Sequence, residues 1–410
     1  MKRQFTIFSF IALSLLMACQ TPSQAGNPET KENGKEEKER PALNPPNVPV
    51  VNKVLSAAEV QTYLTELRSQ WADSIKVALQ YQYEDQVLTI GKNNMKIWWA
   101  VYGNKPAEGR SLYISLHGGG GAPAALNDSQ WENQKKLYKP AEGVYLAPRA
   151  ITNTWDLHFV PEADAFYERI IQMAVVNLDV DPNKVYLMGY SAGGDGVWRL
   201  GPRMADHWAA ASMMAGHPGD VSLLGLRNTP FMIWCGEVDS AYNRNEECAK
   251  RIAEMDALQA ADPEGYIHSG HIVKGKPHWM DGEDRAAVPW MAKFTRNPYP
   301  NRVVWCQGDV VKENFYWVGA PLNEAEKGKV VIVNLDTAAN TISVEKSDYT
   351  TLKFYLNDTM LNLDQPVKVI CDGKEVFNAK VERNANTLRK TLIARGDPSY
   401  AFPAVIEVTL

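Results

Sequence analysis

The sequence predicts an α/β fold, a mostly parallel sheet with helices on both faces, followed by a smaller all-β module. Two observations predict it. From Met95 to Phe294, apolar strand-like runs alternate with helix-like runs, which is the pattern of βα units. Beyond Arg296 this pattern gives way to short alternating runs separated by turn residues. We therefore expect two folded domains, at residues 51–298 and 299–410.

The first residues are expected to precede these domains as a secretory signal. Lys2 and Arg3 come before an apolar run over residues 5–18 that is too short to be a permanent membrane span. The run ends in Leu16-Met17-Ala18-Cys19, which resembles the lipobox of bacterial lipoproteins. The resemblance implies that residues 1–18 are removed and that Cys19 carries the acyl chains, palmitate among them, that anchor the chain at the bacterial cell envelope, outside the cytoplasm. The alternative is a plain signal peptide with a coincidental cysteine.

Residues 19–50 are predicted to be the lipid anchor and a disordered linker. No aromatic residue occurs from Gln20 to Val50, and the segment from Glu29 to Arg40 carries nine charges in twelve positions. Four prolines follow within ten residues. A segment of this composition buries too little apolar surface to offset the entropy of ordering it.

The elements of the first domain each have their own signal. Ser56 to Glu59 forms a capping box that begins a helix. Continuous apolar runs then predict buried strands, and amphipathic runs predict helices. The strands are expected at 95–102, 111–117, 143–148, 184–189, 209–215, 230–235 and 266–274, and the helices at 124–138, 161–177, 192–204, 245–258 and 281–294.

The second domain is predicted to be built from short strands. Asp372-Gly373 between two such runs is a strong hairpin signal. The strands are expected at 303–307, 314–318, 329–334, 341–345, 351–355, 367–371, 375–380 and 404–409, with one helix at 386–395.

Composition excludes several classes of function. Lysine and arginine number 43 against 48 aspartates and glutamates, so the net charge of −5 offers no footprint for nucleic acid. No group of His, Cys and Asp has metal-ligand spacing, so neither a metal nor a redox cofactor is predicted. Cys235–Cys248 and Cys306–Cys371 are the disulfide options within each domain. Cys235 lies on an apolar strand, which favours a buried thiol instead.

A candidate nucleophile lies between a predicted strand and a predicted helix. Gly189-Tyr190-Ser191-Ala192-Gly193 has the Gly-x-Ser-x-Gly pattern, in which a sharp turn projects one hydroxyl above the sheet. The flanking glycines admit backbone that side chains would block. The pentapeptide alone is a weak signal, but the strand and helix around it strengthen it. The alternative is a glycine-rich structural turn.

A second glycine-rich segment follows another strand. His117 is followed by four glycines, Gly118 to Gly121. Glycines allow backbone N–H groups to approach the oxyanion of a tetrahedral intermediate, and His-Gly-Gly-Gly at this place is typical of lipases and esterases. A phosphate-binding loop is the rival, but its Gly-Lys-Ser/Thr ending is missing. His117 itself is expected to hold the loop rather than act as a base.

An acid and a base are expected at the ends of later strands. Glu237 and Asp239 both follow the strand over 230–235, and Asp239 is preferred because it lies further into the loop; a helix N-cap is its alternative role. Three histidines come later in the chain. His268 and His271 lie within a predicted strand, whereas His278 lies in the loop after it. His278 is therefore the preferred base.

Together these segments resemble the α/β-hydrolase superfamily over roughly residues 80–298. Within it the chain looks most similar to secreted esterases and polyhydroxybutyrate-depolymerase-like enzymes, near prolyl-oligopeptidase-type catalytic domains. The resemblance implies a serine esterase with the triad Ser191, Asp239 and His278 in the family's chain order. It implies an oxyanion hole made by the N–H groups of Ala192 and of Gly118 or Gly119, an acyl-enzyme intermediate and no cofactor.

Three further residues are candidates for binding a small or polymer-derived ester. Trp155 and Asp156 lie in a loop after a predicted strand, where substrate contacts are common, and Trp279 adjoins the base. Simple packing is the alternative for each. Asp195, beside the candidate nucleophile, departs from the bulkier residue that related sequences often carry and is expected either to face solvent or to shape the acyl pocket.

Two other functions remain open from the sequence. A prolyl-oligopeptidase-like peptidase would use the same triad, but residues 51–95 are too few for the propeller that usually precedes it. A catalytically inactive glycan-binding lipoprotein is the other, and the intact set of serine, acid, histidine and glycines argues against it. The sequence favours the hypothesis of an extracytoplasmic esterase.

Overall fold

The computed structural model describes residues 48–410. The expected signal peptide, Cys19 and nearly all of the expected linker lie outside the described residues. Val48, near the end of that linker, is buried, and its carbonyl accepts a hydrogen bond from Arg389 Nε at 2.6 Å. The packed chain thus begins slightly before Val51.

An eight-stranded sheet forms the centre of the first part of the chain. Its strand order is β1-β2-β4-β3-β5-β6-β7-β8; β1 and β2 run antiparallel to their neighbours, and the remaining strands are parallel. The strands are β1 (Val87–Ile90), β2 (Asn93–Tyr102), β3 (Arg110–Leu116), β4 (Gly143–Pro148), β5 (Val180–Tyr190), β6 (Ala210–Met214), β7 (Phe231–Gly236) and β8 (His268–Val273). The α/β-hydrolase arrangement expected from the sequence is confirmed by this topology.

Six helices accompany the sheet. They are α1 (Ala57–Asp85), α2 (Ala124–Leu137), α3 (Ala163–Asn177), α4 (Ala192–Arg203), α5 (Arg244–Ala261) and α6 (Ala287–Met291). The capping box at Ser56 is confirmed, because Ser56 Oγ accepts the N–H of Glu59 and the Glu59 carboxylate accepts the N–H of Ser56. Within residues 48–410, none of the helices combines the length and the apolarity that crossing a membrane requires.

Two details of the first part differ from the prediction. The strand β1 was not expected, because its four residues are too short to show a period. The single helix expected over 281–294 is instead a 3₁₀ turn and the short helix α6. Asp281 and Gly282 both have positive φ, which no continuous right-handed helix accommodates.

The chain after residue 300 forms a five-stranded and a four-stranded sheet, as the prediction of a β-rich module requires. The strands are β9 (Arg302–Cys306), β10 (Asn314–Phe315), β11 (Val318–Gly319), β12 (Val330–Asp336), β13 (Thr341–Ser347), β14 (Thr351–Leu356), β15 (Val367–Cys371), β16 (Lys374–Ala379) and β17 (Ala404–Thr409), and the helix is α7 (Ala385–Arg395). The strand expected over 314–318 is two short strands. The Asp372-Gly373 hairpin is confirmed, with positive φ at both residues.

Helix α7 ties the two parts together. Its buried residues Leu388 and Leu392 belong to the same apolar core as Leu67 and Trp71 of α1. The second core lies between the two smaller sheets and includes Ala205, from the turn that follows α4. The four cysteines of the described chain are thiols.

Candidate active site

Ser191 lies on a strained turn between β5 and α4. Its φ of 59° and ψ of −121° are rare for a residue with a side chain. A Cβ on Gly193 would lie 2.1 Å from the Leu116 carbonyl oxygen, and one on Gly189 would lie 2.3 Å from the Gly193 carbonyl oxygen. Both glycines are therefore required for helix α4 to begin against the end of β3, which is how the turn presents the Ser191 hydroxyl.

The three residues of the predicted triad form one hydrogen-bonded chain. His278 Nε2 lies 2.9 Å from Ser191 Oγ, and His278 Nδ1 lies 2.7 Å from Asp239 Oδ2. Because the Asp239 carboxylate can only accept, Nδ1 donates to it and Nε2 is left to accept from the Ser191 hydroxyl. The Asp239 side chain is buried while that of His278 is 41% exposed, so the imidazole reaches the surface and the carboxylate does not.

The rival candidates for acid and base have other contacts. Glu237 Oε2 accepts the N–H of Gly275 at 2.7 Å, which fastens the loop that leads to His278. His268 Nε2 lies 2.9 Å from the Asp256 carboxylate, and the His271 ring stacks on Trp234. The geometry thus brings together Asp239 and His278, and it does not bring Glu237, His268 or His271 to the serine.

Two residues that the sequence did not point to hold the triad in place. The Tyr190 hydroxyl donates to the His278 carbonyl oxygen at 2.7 Å and accepts the N–H of Met280 at 3.2 Å. Arg244 Nη1 lies 3.4 Å from Asp239 Oδ1, so the buried carboxylate has a cationic neighbour in addition to the imidazole. Tyr190 stands beside the serine in the motif, and this adjacency was the one available signal.

The glycine loop after β3 passes directly beside the serine. A Cβ on Gly118 would lie 3.4 Å from Ser191 Cβ, and one on Gly120 would lie 3.4 Å from Ala192 Cβ. The N–H of Gly120 already donates to Asn127 Oδ1 at 2.9 Å. Gly118 and Gly119 also line the cleft over the serine.

His117 and His158 are neutral rings that shape this loop. The N–H of Ala150 donates to His117 Nε2, so Nδ1 of His117 carries the proton and donates to the Gly118 carbonyl oxygen at 2.6 Å. His158 Nε2 lies 2.8 Å from the His117 carbonyl oxygen. Burial lowers the pKa of His117 to about 4 and holds that of His158 well below its usual range. The structural role expected for His117 matches these contacts.

A cleft of about 650 Å³ opens over the serine. Trp279 lines it and is 44% exposed, with its ring against that of Tyr190. The residues that line the cleft are Gly118, Gly119, Leu126, Gln130, Asn133, Gln134, Lys136, Leu137, Tyr190, Ser191, His278, Trp279 and Arg285. The amides Gln130 and Asn133 and the cations Lys136 and Arg285 were not predicted, since nothing in the local sequence marks them.

Trp155 and Asp156 do not line this cleft. Trp155 is 49% exposed beside Gly121 of the glycine loop, and its ring lies 5.4 Å from that of Tyr242. The carbonyl oxygen of Asp156 accepts the N–H groups of Phe159 and Val160, which form a turn. The structure thus places Trp279 at the site and Trp155 outside it, whereas Asp156 belongs to a structural turn.

Asp195 is buried next to the turn that carries Ser191, and it neither faces solvent nor lines the cleft. Its carboxylate accepts the N–H of His217 at 2.6 Å, and burial raises its pKa. Both expectations for Asp195 are therefore wrong, because the start of α4 turns this side chain into the protein. Among residues 48–410, no three His, Cys, Asp or Glu side chains are grouped so as to hold a metal ion.

Comparison with known proteins finds similar solved structures only. No family model and no curated protein matches the chain. A thermostable esterase aligns over 52% of this chain and 64% of its own, at 18% identity and a TM-score of 0.40. A phospholipase/carboxylesterase from Dyadobacter fermentans aligns over 50% of this chain and 100% of its own, at 16% identity and a TM-score of 0.35. A feruloyl esterase module from Clostridium thermocellum complexed with sinapinate aligns over 49% and 83%, at 14% identity and a TM-score of 0.34.

Proposed function

We propose that the chain is a serine hydrolase that cleaves carboxylic esters through an acyl-enzyme intermediate. The observation that carries the proposal is the unbroken chain of hydrogen bonds from Ser191 Oγ through His278 to the buried Asp239 carboxylate. It stands at a nucleophile elbow beside a loop of glycine N–H groups. Nucleophile, base, orienting acid and oxyanion donors are the four parts that acyl transfer needs.

Each residue has one role in the proposed reaction. His278 Nε2 takes the proton of Ser191 as Oγ attacks the ester carbonyl, and Asp239 stabilises the imidazolium that forms. The negative oxygen of the tetrahedral intermediate accepts the N–H groups of Ala192 and of Gly118 or Gly119, each worth about 3 kcal/mol. The bond to the alcohol oxygen breaks as His278 returns the proton to it. A water molecule, activated by His278 in the same way, then releases the acid.

A substrate panel tests this function. Purified protein is assayed on p-nitrophenyl esters of increasing chain length, feruloyl and acetylated-sugar esters, and peptide p-nitroanilides. We expect ester hydrolysis, and a loss of at least about 1,000-fold in kcat/KM for Ser191→Ala. Hydrolysis of the peptide p-nitroanilides alone would contradict the esterase function and indicate a peptidase. No hydrolysis of either class would favour a glycan-binding protein.

We further propose that the chain is lipidated at Cys19 and held at the bacterial envelope, facing outside the cytoplasm. The support is the basic start, the short apolar run and the lipobox-like Leu16 to Cys19. Expression in a bacterium with an alkyne-labelled palmitate should label the protein in the membrane fraction. Cys19→Ala should abolish both the label and the sedimentation with membranes. Labelling that survives this substitution would contradict the proposal.

A further inference from the structure

Arg285 differs from every other arginine between residues 48 and 410. The others each donate a side-chain hydrogen bond to a carboxylate, an amide or a carbonyl oxygen. Within this part of the chain, Arg285 has no such acceptor and no carboxylate within 4.0 Å, and it is exposed. An arginine whose five donors lack any protein acceptor is available to a ligand.

Arg285 lies where the catalytic cleft meets a second cavity. The cleft of about 650 Å³ contains Ser191 and His278, and the adjoining cavity measures about 850 Å³. Arg285 and Lys136 line both cavities. The two cations therefore stand at the junction of a groove that continues well beyond the reacting atoms.

The groove is cationic although the chain as a whole carries a net charge of −5. In the catalytic cleft, Lys136 and Arg285 are the charged lining residues apart from the base. The second cavity adds Lys139 and Lys184, with Glu142 as its acid. The Glu142 carboxylate already accepts the N–H of Ser111, and Lys184 lies 3.9 Å from Glu108.

The carboxyl group next to Arg285 in the chain is directed elsewhere and forms neither a hydrogen bond nor an ion pair with it. Asp284 is completely buried, and its Oδ2 accepts the hydroxyl of Tyr138. Burial raises the pKa of Asp284, so its charge is disfavoured where it lies. Tyr138 lines the second cavity together with Tyr113 and Tyr186. The wall of the groove thus combines aromatic rings with cations.

We propose that Arg285, with Lys136, binds a carboxylate that the ester substrate carries away from its scissile bond. A guanidinium matches a carboxylate in a bidentate pair, and Lys136 adds a second charge from α2. The substrate class is an acidic ester, such as an ester of a uronic acid chain or an oligoester with a free acid end. This inference rests on the proposed esterase function and specifies its substrate.

Matched substrate pairs test the proposal on both sides of the ester. The first pair is p-nitrophenyl hexanoate and the mono-p-nitrophenyl ester of adipic acid, which differ by a carboxylate on the acyl chain. The second pair is 4-acetoxybenzamide and 4-acetoxybenzoate, which differ by a carboxylate on the alcohol and each contain one ester. The readout is the ratio of kcat/KM for the acidic member to that for the neutral member, at low and at high sodium chloride.

We expect the parent chain to favour the acidic member in at least one pair, and Arg285→Gln to lower that ratio about tenfold through KM. Arg285→Lys should restore part of the ratio, and high salt should weaken it because the charges are exposed. Lys293→Gln is the control, since Lys293 is exposed nearby and lines neither cavity. An unchanged ratio in Arg285→Gln, or no preference in the parent chain, would overturn the proposal.

The experiment separates this proposal from the esterase function. Ser191-dependent hydrolysis of the neutral esters without any acidic preference would refute the role of Arg285 and leave the esterase intact. Absence of hydrolysis of all four esters by a correctly folded chain, judged by circular dichroism, would refute both.

Discussion

At the scale of single residues, the site depends on groups that position the triad from outside it. His278 lies in a loop rather than on a strand, so its place is set by contacts on both sides. Tyr190 bonds the His278 carbonyl and the Met280 N–H, and Glu237 bonds the N–H of Gly275. Together they fix the start and the end of the loop that carries the base.

Tyr190→Phe should lower kcat more than it raises KM. Two hydrogen bonds to the base's loop are lost while the ring and its packing against Trp279 stay, so a fall in kcat of about five- to tenfold is expected. Tyr266→Phe is the matched control, because the Tyr266 hydroxyl donates to the Leu224 carbonyl oxygen away from the site. Steady-state kinetics of both variants tests this prediction. A kcat for Tyr190→Phe equal to that of Tyr266→Phe would contradict it.

His117 should make stability depend on pH on the acid side. Its pKa is lowered by burial from 6.5 to about 4, so between these values the unfolded chain binds a proton that the folded chain does not. The contribution of neutral His117 to the free energy of unfolding is therefore complete above pH 6.5. It is lost as the pH falls towards 4, which lowers the free energy of unfolding by about 3 kcal/mol in all. Urea unfolding at pH 7, 5.5 and 4.5 should show a shallower pH dependence in His117→Gln. An identical slope in both proteins would refute it.

At the scale of elements, the elbow depends on how closely α4 approaches the end of β3. A Cβ on Gly193 would lie 2.1 Å from the Leu116 carbonyl oxygen and 3.0 Å from that of His117. These atoms belong to a central strand and to the start of the glycine loop, and they are backbone atoms, so they cannot rotate away. The same contact therefore determines both the place of Ser191 and that of the glycine loop.

Gly193→Ala should lower both stability and activity. We expect the free energy of unfolding to fall by about 2–3 kcal/mol and ester hydrolysis to be nearly lost, since α4 must move away from β3. Gly373→Ala in the β15–β16 hairpin is the control: its Cβ would meet open space, and its positive φ costs about 1 kcal/mol without touching the site. Urea unfolding and hydrolysis of a p-nitrophenyl ester measure both, and equal losses of activity would contradict the account.

The elements that sequence patterns predicted well are those with a local cause. The strand, turn and helix around Ser191 follow from glycines within one pentapeptide, and the Asp372-Gly373 hairpin follows from its turn residues. The elements that were missed have no such cause. Strand β1 exists because it pairs with β2. The helical residues expected from 281 begin only at Glu283, because Asp281 and Gly282 adopt positive φ.

At the scale of the whole molecule, buried ion pairs join the β-rich part to the α/β part. Arg395 Nη2 donates to Asp206 Oδ2 at 2.6 Å, and Arg296 Nη2 donates to Asp397 Oδ2 at 2.7 Å. Burial raises the pKa of Asp206, but His207, Arg395 and Arg296 more than offset it and hold that pKa well below its usual range. With the core shared by α1 and α7, these pairs make the two parts depend on each other.

Unfolding in urea should therefore follow a single transition that Arg395→Met shifts strongly. Removing Arg395 leaves the Asp206 charge buried with fewer partners, which is expected to cost about 3–5 kcal/mol. Lys327→Met breaks an exposed pair with Asp220 and should cost less than about 1 kcal/mol. Tryptophan fluorescence and loss of ester hydrolysis should report the same midpoint. Two separate transitions would show that the parts fold independently.

Long-range packing also explains what the sequence did not reveal about the site. Ser191, Asp239 and His278 carry recognisable surroundings along the chain, so they could be named before the fold was seen. Arg285 and Lys136 come from segments far apart in sequence, and only the packing of α2 against the chain after His278 brings them to one groove. That Arg285 has no acceptor within residues 48–410 can be recognised only from the positions of all the surrounding groups.

Ser191 is proposed to be a nucleophile that His278 activates. Incubation with a fluorophosphonate, followed by peptide mass spectrometry, tests it most directly, because the reagent bonds covalently to an activated serine and needs no knowledge of the substrate. The parent chain should carry one adduct, on Ser191, and His278→Ala should react at least about 100-fold more slowly. No adduct on the folded parent chain, or an adduct on another residue, would contradict the account.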